Sequence, residues 1–382
     1  MPGRRGRGEG SIYRRSRDGR WVGSVVLAET GKRKSVTGAT RQEVQRKLSA
    51  LVRDIEQGLS PGDGRQTVAQ YLTSWLETIK PTMEESTWVT HGSYARMHFI
   101  PALGRMQLMQ LTPQRIQAFY ARLLAGGLSS TTVNHMHGSL HKALDAAVRL
   151  GLVARNVTEL VDVPRMASHE IHPLTKEQAR QLLYVARGER LEALFTLALA
   201  TGMRQGEILA LHWRDVDLDA RALSVRWSLR YHQGVFTVKE PKTRRSRRRI
   251  ALAEQTVEAL RAHRTRQLGE RLKAGSGWQG AAWDDLVFCT EIGSPLTSNG
   301  QVRSTLRRII RHASPAAPLP AIRFHDLRHT CATLALASNV NPKVVSEMLG
   351  HSTVAITLDI YSHVLPDMQE DAAAAVAAML YG

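Results

Sequence analysis

Two stretches break every periodic pattern in this chain: GLSPGDG at residues 58–64 and DVPRMASHEIHP at 162–173. Glycine and proline interrupt helices and strands alike, the first by conformational freedom and the second by a locked φ and a missing donor. No continuous core can run through such segments. They read as linkers, and they divide the 382 residues into parts at 1–60, 65–163 and 172–382.

Each part has its own pattern. In the first, SIYRRS, RWVGSVVLA and KRKSVT read as short strands separated by Asp18-Gly19 and Thr30-Gly31 turns. Thr40 to Glu43 then spells a capping box, and a helix should run to about Gln57. The second part is helical throughout: TVAQYLTSWLETIK has apolar residues at helical spacing, Thr112-Pro113 opens a helix that stops at Gly126-Gly127, and another spans Ser129 to Leu150. The third opens on a capping box at Thr175 to Gln178 and carries helices to about Leu211. Strand-like runs follow at 222–229, 235–240 and 248–252, then helices to the end. The expected fold class is therefore multidomain: a small α+β module of three-stranded sheet plus helix, an all-α domain, and a mixed, mainly-α domain with a small β-sheet. No internal repeat is present, and DAAAAVAAM near the C-terminus is an alanine-rich helix candidate.

Charge narrows the partner. Lys and Arg number 52 against 34 Asp and Glu, a net charge of +18, and the pI is about 10.5. That balance is the electrostatic footprint of a nucleic-acid binder. Arg14, Arg15, Arg17, Arg20, Lys32, Arg33 and Lys34 crowd the first module, and a small basic sheet fits a DNA groove. The two cysteines, Cys289 and Cys331, have no metal-ligand spacing, which points to a reducing cytosol. No apolar run is long enough to span a membrane, and MPGRRGRGEG lacks the apolar stretch of a signal peptide and reads as a flexible arm. His135, His137 and His141 have no Cys or carboxylate companions and read as DNA-facing or surface histidines.

The chemistry-bearing residues lie in the third part. Arg204, in ATGMRQGE, begins a helix just past an apolar one, with Glu207 on the same face three residues later. KEPKTRRSRRRIAL places Lys242, Arg244, Arg245, Arg247, Arg248 and Arg249 at what reads as a hairpin tip near Pro241, aimed at a phosphate backbone. HDLRHT sets His325 and His329 four apart, close to the helical zinc signature of metalloproteases. Arg328, however, shares a helix face with His325; a guanidinium repels a metal and welcomes an oxyanion. The phosphate reading is favoured over the zinc one. His351 follows Gly350 at a turn, and Tyr361 lies in a helix beginning near Thr353.

Taken in order, ATGMRQGE, PKTRRSRR, HDLRHT, LGH and the tyrosine at its spacing after that histidine resemble the tyrosine recombinase, or phage integrase, family. The resemblance covers roughly 172–382. The helical part before it looks like a core-site DNA-binding domain, and the basic module looks like the arm-type binding domain of lambda-like integrases. The resemblance implies a C-shaped clamp on duplex DNA. It also implies Tyr361 as the nucleophile, a 3′-phosphotyrosyl intermediate with a free 5′-hydroxyl, and no cofactor, neither ATP nor metal. It further implies a homotetramer on core-type and arm-type attachment sites in a bacterial cytoplasm, assisted by DNA-bending and directionality factors.

The residue types suit that chemistry. A phenol of pKa about 10 costs roughly 4 kcal/mol to deprotonate at pH 7, which cations and a base can offset. Arg204 and Arg328 can fork onto non-bridging phosphate oxygens. His325 fits general acid/base work near the phenol, Lys242 (preferred over the neighbouring Lys239) a general acid for the leaving 5′-oxygen, and His351 a donor to phosphate. The tail after Tyr361 is expected to pack on a neighbouring protomer, or to fold back in its absence. The rival readings are a type IB topoisomerase-like relaxing enzyme and a catalytically inactive DNA-binding regulator.

Overall fold

A computed structural model describes residues 11–26, 31, 33–56, 66–166, 173–232, 234–240, 247–314, 318–361 and 376–381. Lys32, the 58–64 linker, Lys242, Arg244, Arg245 and most of the tail after Tyr361 lie outside the described residues. The chain forms two compact units, Met1–His169 and Glu170–Gly382, which part within the second linker.

In the first unit, β1 (Ser11–Arg14), β2 (Trp21–Val26) and β3 (Arg33–Gly38) make an antiparallel sheet in that order. Helix α1 (Arg41–Glu56) packs on β2 and β3 through Val44 and Leu48. Gly23 is where the helix comes closest: a Cβ there would meet Val44 Cγ1 at 2.8 Å. Strand alternation corrects part of the basic patch, because neighbouring side chains face opposite ways. Arg33 is exposed and donates to the hydroxyls of Ser24 and Ser11, whereas Lys34 is half-buried on the other face. Arg14 donates to Gly19 O and Arg15 pairs with Asp18, both bracing the β1–β2 turn; Arg17 and Arg20 are exposed.

The helical part contains α2 (Val68–Ile79), α3 (Glu85–Tyr94), α4 (Ile100–Leu103), α5 (Pro113–Ala125) and α6 (Ser130–Arg149). Capping fixes the starts: Thr67 and Gln70 form a capping box, and Thr112 and Ser129 accept from the backbone of the first turn. The core is Tyr71, Trp75, Phe99, Phe119, Tyr120, Met136 and Leu140 with their neighbours. His135 is exposed as expected. His137 and His141 are not free surface groups; they are partly buried, His137 bonded to the Tyr120 hydroxyl and His141 to Thr158 and Asn156. The apolar neighbours of these imidazoles require internal partners for their nitrogens.

The second unit begins with α7 (Lys176–Val185), α8 (Glu192–Thr201) and α9 (Gln205–Leu209). The strands β4 (Val216–Asp217), β5 (Ala222–Val225), β6 (Ser228–His232), β7 (Val235–Lys239) and β8 (Arg248–Ala251) follow, and then α10 (Glu254–Ala274), α11 (Arg303–His312), α12 (Phe324–Ala337), α13 (Pro342–Leu349) and α14 (Val354–Tyr361). Two strand readings need correction. The 222–229 run is two strands, broken at Arg226-Trp227, where Trp227 turns against the core. The strands flanking Lys242 do not pair with each other: β7 pairs with β6, and β8 pairs with β5 in a β4-β5-β8 sheet. Burial decides this, because Leu223 and Ile250 face each other across β5 and β8 within the core. The segment 275–302 is mostly irregular rather than helical. Residues 376–381 are helical and expose Val376, Met379, Leu380 and Tyr381.

Helix α8 is apolar on almost every side and sits at the centre of this unit's core. It ends at Gly202 in the left-handed conformation, φ 60°. A Cβ at Gly202 would stand 2.5 Å from Leu349 Cδ2 and 3.3 Å from Cys331 Sγ, whereas one at Gly188, φ 78°, would meet nothing within 4 Å. Gly202→Ala should therefore cost clearly more than the ~1 kcal/mol of left-handed strain expected for Gly188→Ala, by about 1–3 kcal/mol of overpacking. Urea denaturation of the whole chain followed by circular dichroism measures the difference.

Candidate active site

The turn after α8 delivers Arg204. Met203 is buried, and Arg204 takes the N-cap position of α9 in extended backbone. Its amide donates to Glu207 Oε2 at 2.9 Å and its Nη1 to Glu207 Oε1 at 2.9 Å, so one carboxylate orients both main chain and guanidinium. Arg204 Nη2 donates to Gly350 O at 3.1 Å. The expected Arg204–Glu207 pair is present, and Glu207 is only 3% exposed.

Helix α12 delivers Arg328, 4% exposed. Its Nη1 donates to Gly202 O and Leu349 O, both at 2.8 Å. These carbonyls close the C-terminal ends of α8 and α13, where unpaired acceptors and the helix dipole favour a cation. Burial lowers the Arg328 pKa to about 10, helped by the Arg204 charge, and the group stays protonated at neutral pH. Both arginines are thus tethered to the Leu349–Gly350 turn. Gly350 is left-handed, φ 70°, and swings the chain so that His351 follows directly. His351 Nδ1 bonds Thr357 Oγ1 at 2.8 Å.

Tyr361 ends α14 with 1% exposure, packed among Ala332, Leu336, Val345 and Leu349. Its hydroxyl shares a 2.8 Å hydrogen bond with His329 Nδ1. Burial raises the phenol to about 12, outweighing the pull of the Arg328 charge. Deprotonating it at pH 7 in this arrangement would cost about 7 kcal/mol.

The contact to His329 is the chief revision of the site. The imidazole that meets the phenol is that of His329; the ring of His325 stands edge-on to His329 at 5.0 Å between centroids. His325 is exposed, and desolvation, together with the Arg328 charge, lowers its pKa. The four-residue spacing of the two histidines held the clue, since it places both on one stripe of α12. The carboxylate of the apparent zinc signature is engaged elsewhere: Asp326 accepts from the Arg323 amide at 2.7 Å and from its guanidinium, capping α12. No group of three or more His, Cys, Asp or Glu side chains that could hold a metal occurs among the described residues. Nor is any described helix long and apolar enough to cross a membrane.

Sequence reading also missed Arg248. It counted among the basic run facing DNA, yet its side chain is 7% exposed and paired to Glu207 at 2.8 Å. Arg247 is exposed and pairs with Glu240.

The model of the phage integrase family matches residues 172–368, and that of the phage integrase N-terminal SAM-like domain matches 67–124. A tyrosine recombinase XerC-like protein of Caldanaerobacter subterraneus subsp. tengcongensis is 30% identical over 363 residues, covering 90% of this chain and 92% of that one. The chain belongs to the phage integrase family. As a tyrosine recombinase it cuts and rejoins DNA site-specifically through a phosphotyrosyl intermediate. The fold is also that of a Tn1549 transposon integrase solved with transposon right end DNA (TM-score 0.68, 23% identity, 83% of this chain and 100% of that one). It is likewise that of a lambda integrase tetramer bound to a Holliday junction (TM-score 0.57, 16% identity, 94% and 96%).

In this recombinase, burial holds His329 and His351 each at a pKa of about 4, with neighbouring positive charges adding to the effect. Unfolded, each titrates near 6.5. Between these values the unfolded chain binds more protons, so stability falls as pH drops from about 6.5 towards 4 and is flat in these groups above that range. Melting temperatures across this pH range should decline on the acid side, and His329→Gln should make the decline shallower.

Proposed function

We propose that Tyr361 is the nucleophile of this recombinase and that Arg204, Arg328 and His351 bind the scissile phosphate. The observation that carries the reading is the convergence on one turn: both guanidinium groups donate to carbonyls of Leu349 and Gly350, and His351 is the next residue. Three donors gathered there suit the two non-bridging oxygens of a phosphodiester and the charge that develops on a phosphorane.

In the proposed reaction the Tyr361 oxygen attacks phosphorus, the bond to the 5′-oxygen breaks, and a 3′-phosphotyrosyl link forms. His329 and His325 form the path by which the phenolic proton leaves. Lys242, on the segment joining β7 to β8, protonates the departing 5′-oxygen. The 5′-hydroxyl of a second strand reverses the step, so the bond energy is conserved and no cofactor is consumed. The phenol, buried against His329 with its raised pKa, has to reorient towards the phosphate before it can react.

The parts of the chain divide the work in the same proposal. The 65–163 helical part binds the core site with the 172–382 catalytic part. The 1–60 module binds arm-type sites through Arg17, Arg20 and Arg33, with Arg14, Arg15, Lys32 and Lys34 adjoining, while Arg244, Arg245 and Arg247 meet the backbone near the cut. The protein acts as a tetramer on DNA in the cytoplasm of a bacterial host, with bending and directionality factors, to move a phage or other mobile element. Relatives named as integrases of Streptomyces ambofaciens and of a Mycobacterium phage support the mobile-element reading. The lambda integrase tetramer supports the assembly.

On nicked DNA, wild-type protein should form a covalent adduct, and sequencing the attached strand identifies the site. Tyr361→Phe should keep DNA affinity within about 3-fold and lose the adduct by at least about 10³-fold. Adduct at normal yield would refute the assignment, and relaxation without strand exchange between paired sites would favour the topoisomerase-like alternative. Removing residues 1–60 should abolish binding to arm-type DNA while core-site cleavage survives.

A further inference from the structure

Among the described residues of the basic run at 242–249, Arg248 turns inward. Arg248 lies on β8 opposite Val225, which is buried, and its guanidinium is hydrogen-bonded inside the unit. Nη2 donates to Glu207 Oε2 at 2.8 Å, Nη1 to Glu207 Oε1 at 3.3 Å, and Nε to Met348 O at 2.6 Å. The Glu207 carboxylate is therefore shared between two guanidinium groups, those of Arg204 and Arg248. Burial alone would raise its pKa, but the Arg248 hydrogen bond and charge more than offset this and hold the carboxyl below its usual range.

The contacts close into a ring. Arg204 reaches Glu207, Glu207 reaches Arg248, Arg248 reaches the last turn of α13, and Arg204 returns to Gly350. At Gly350 a Cβ would stand 2.9 Å from Arg248 Nη1, so turn and guanidinium are in close contact. We propose that Arg248 is a positioning residue for strand cleavage: through Glu207 it sets the orientation of Arg204, and through Met348 it sets the turn that carries His351. Arg248 itself touches no phosphate in this scheme. Without it, the Glu207 carboxylate would lose one of its two guanidinium partners and be drawn wholly onto Arg204, weakening that guanidinium's hold on the phosphate. Lysine cannot replace it, because a single ammonium cannot fork onto a carboxylate and also reach the Met348 carbonyl.

The proposal rests on Tyr361 being the nucleophile and Arg204 a phosphate ligand, and its test separates the two. The probe is a nicked duplex recovered from a randomised pool by covalent capture on the wild-type protein, made with either a phosphodiester or a neutral methylphosphonate at the cut. Wild type forms the adduct and Tyr361→Phe does not; failure there overturns the parent reading alone. Arg248→Gln should keep DNA affinity within about 3-fold but lose about 10²-fold in single-turnover rate on the phosphodiester. On the methylphosphonate, which has less charge to stabilise, its loss should shrink to under about 5-fold. Arg248→Lys should recover only part of the rate, and adding Glu207→Gln to Arg248→Gln should cost much less than the product of the single losses. If Arg248→Gln does not fold, the comparison of linkages in Arg248→Lys decides. Equal losses on both linkages, multiplicative losses in the double variant, or an unchanged rate would each overturn the proposal.

Discussion

The buried Arg328 guanidinium is the point on which the catalytic unit depends. It joins the end of α8 to the end of α13 by donating to Gly202 O and Leu349 O. Each of those carbonyls would otherwise be an unpaired acceptor at the negative end of a helix. A cation buried at 4% exposure is costly unless its donors find partners, and here two helix termini accept from Nη1. The same contacts hold the Arg204 turn and the His351 turn in register. One side chain therefore carries the structural support on which the proposed phosphate site rests.

Around that centre the charges are arranged in an order that favours an anion. Among the described residues, the buried carboxylate that contacts Arg204 and Arg248 is that of Glu207, which also acts on Arg328. The local excess is positive, which a phosphodiester would neutralise. The histidines remain neutral at physiological pH because burial and nearby guanidinium groups both oppose their protonation. They can therefore accept a proton or share one without adding to the positive charge. The phenol, in contrast, is kept protonated among the apolar side chains of Leu336, Val345 and Leu349.

Much of the site was legible in the sequence because its motifs combine local geometry with unusual residue choice. Arg204 and Glu207 lie three apart across a helix start, and the capping arrangement follows from that spacing. Gly202 and Gly350 mark helix ends whose left-handed backbone glycine readily adopts. Less legible were contacts between segments far apart in the chain. Nothing local distinguishes Arg248 from its basic neighbours; only the pairing of β8 with β5 turns its side chain towards Glu207. His329 and His325 are equivalent in composition, and packing of α14 on α13 chooses which one meets Tyr361.

The sequence by itself pointed to the family through the order of its motifs, and it marked most helical and strand segments because capping, periodicity and charge act over a few neighbours. Tertiary structure decided which strands pair, which of two histidines touches the phenol, and which arginine faces inward. Those outcomes depend on packing together segments tens of residues apart, from the 32 residues between His329 and Tyr361 to the 100 between Arg248 and Met348. Side chains carried on the buried faces are then forced to find partners that no local pattern specifies.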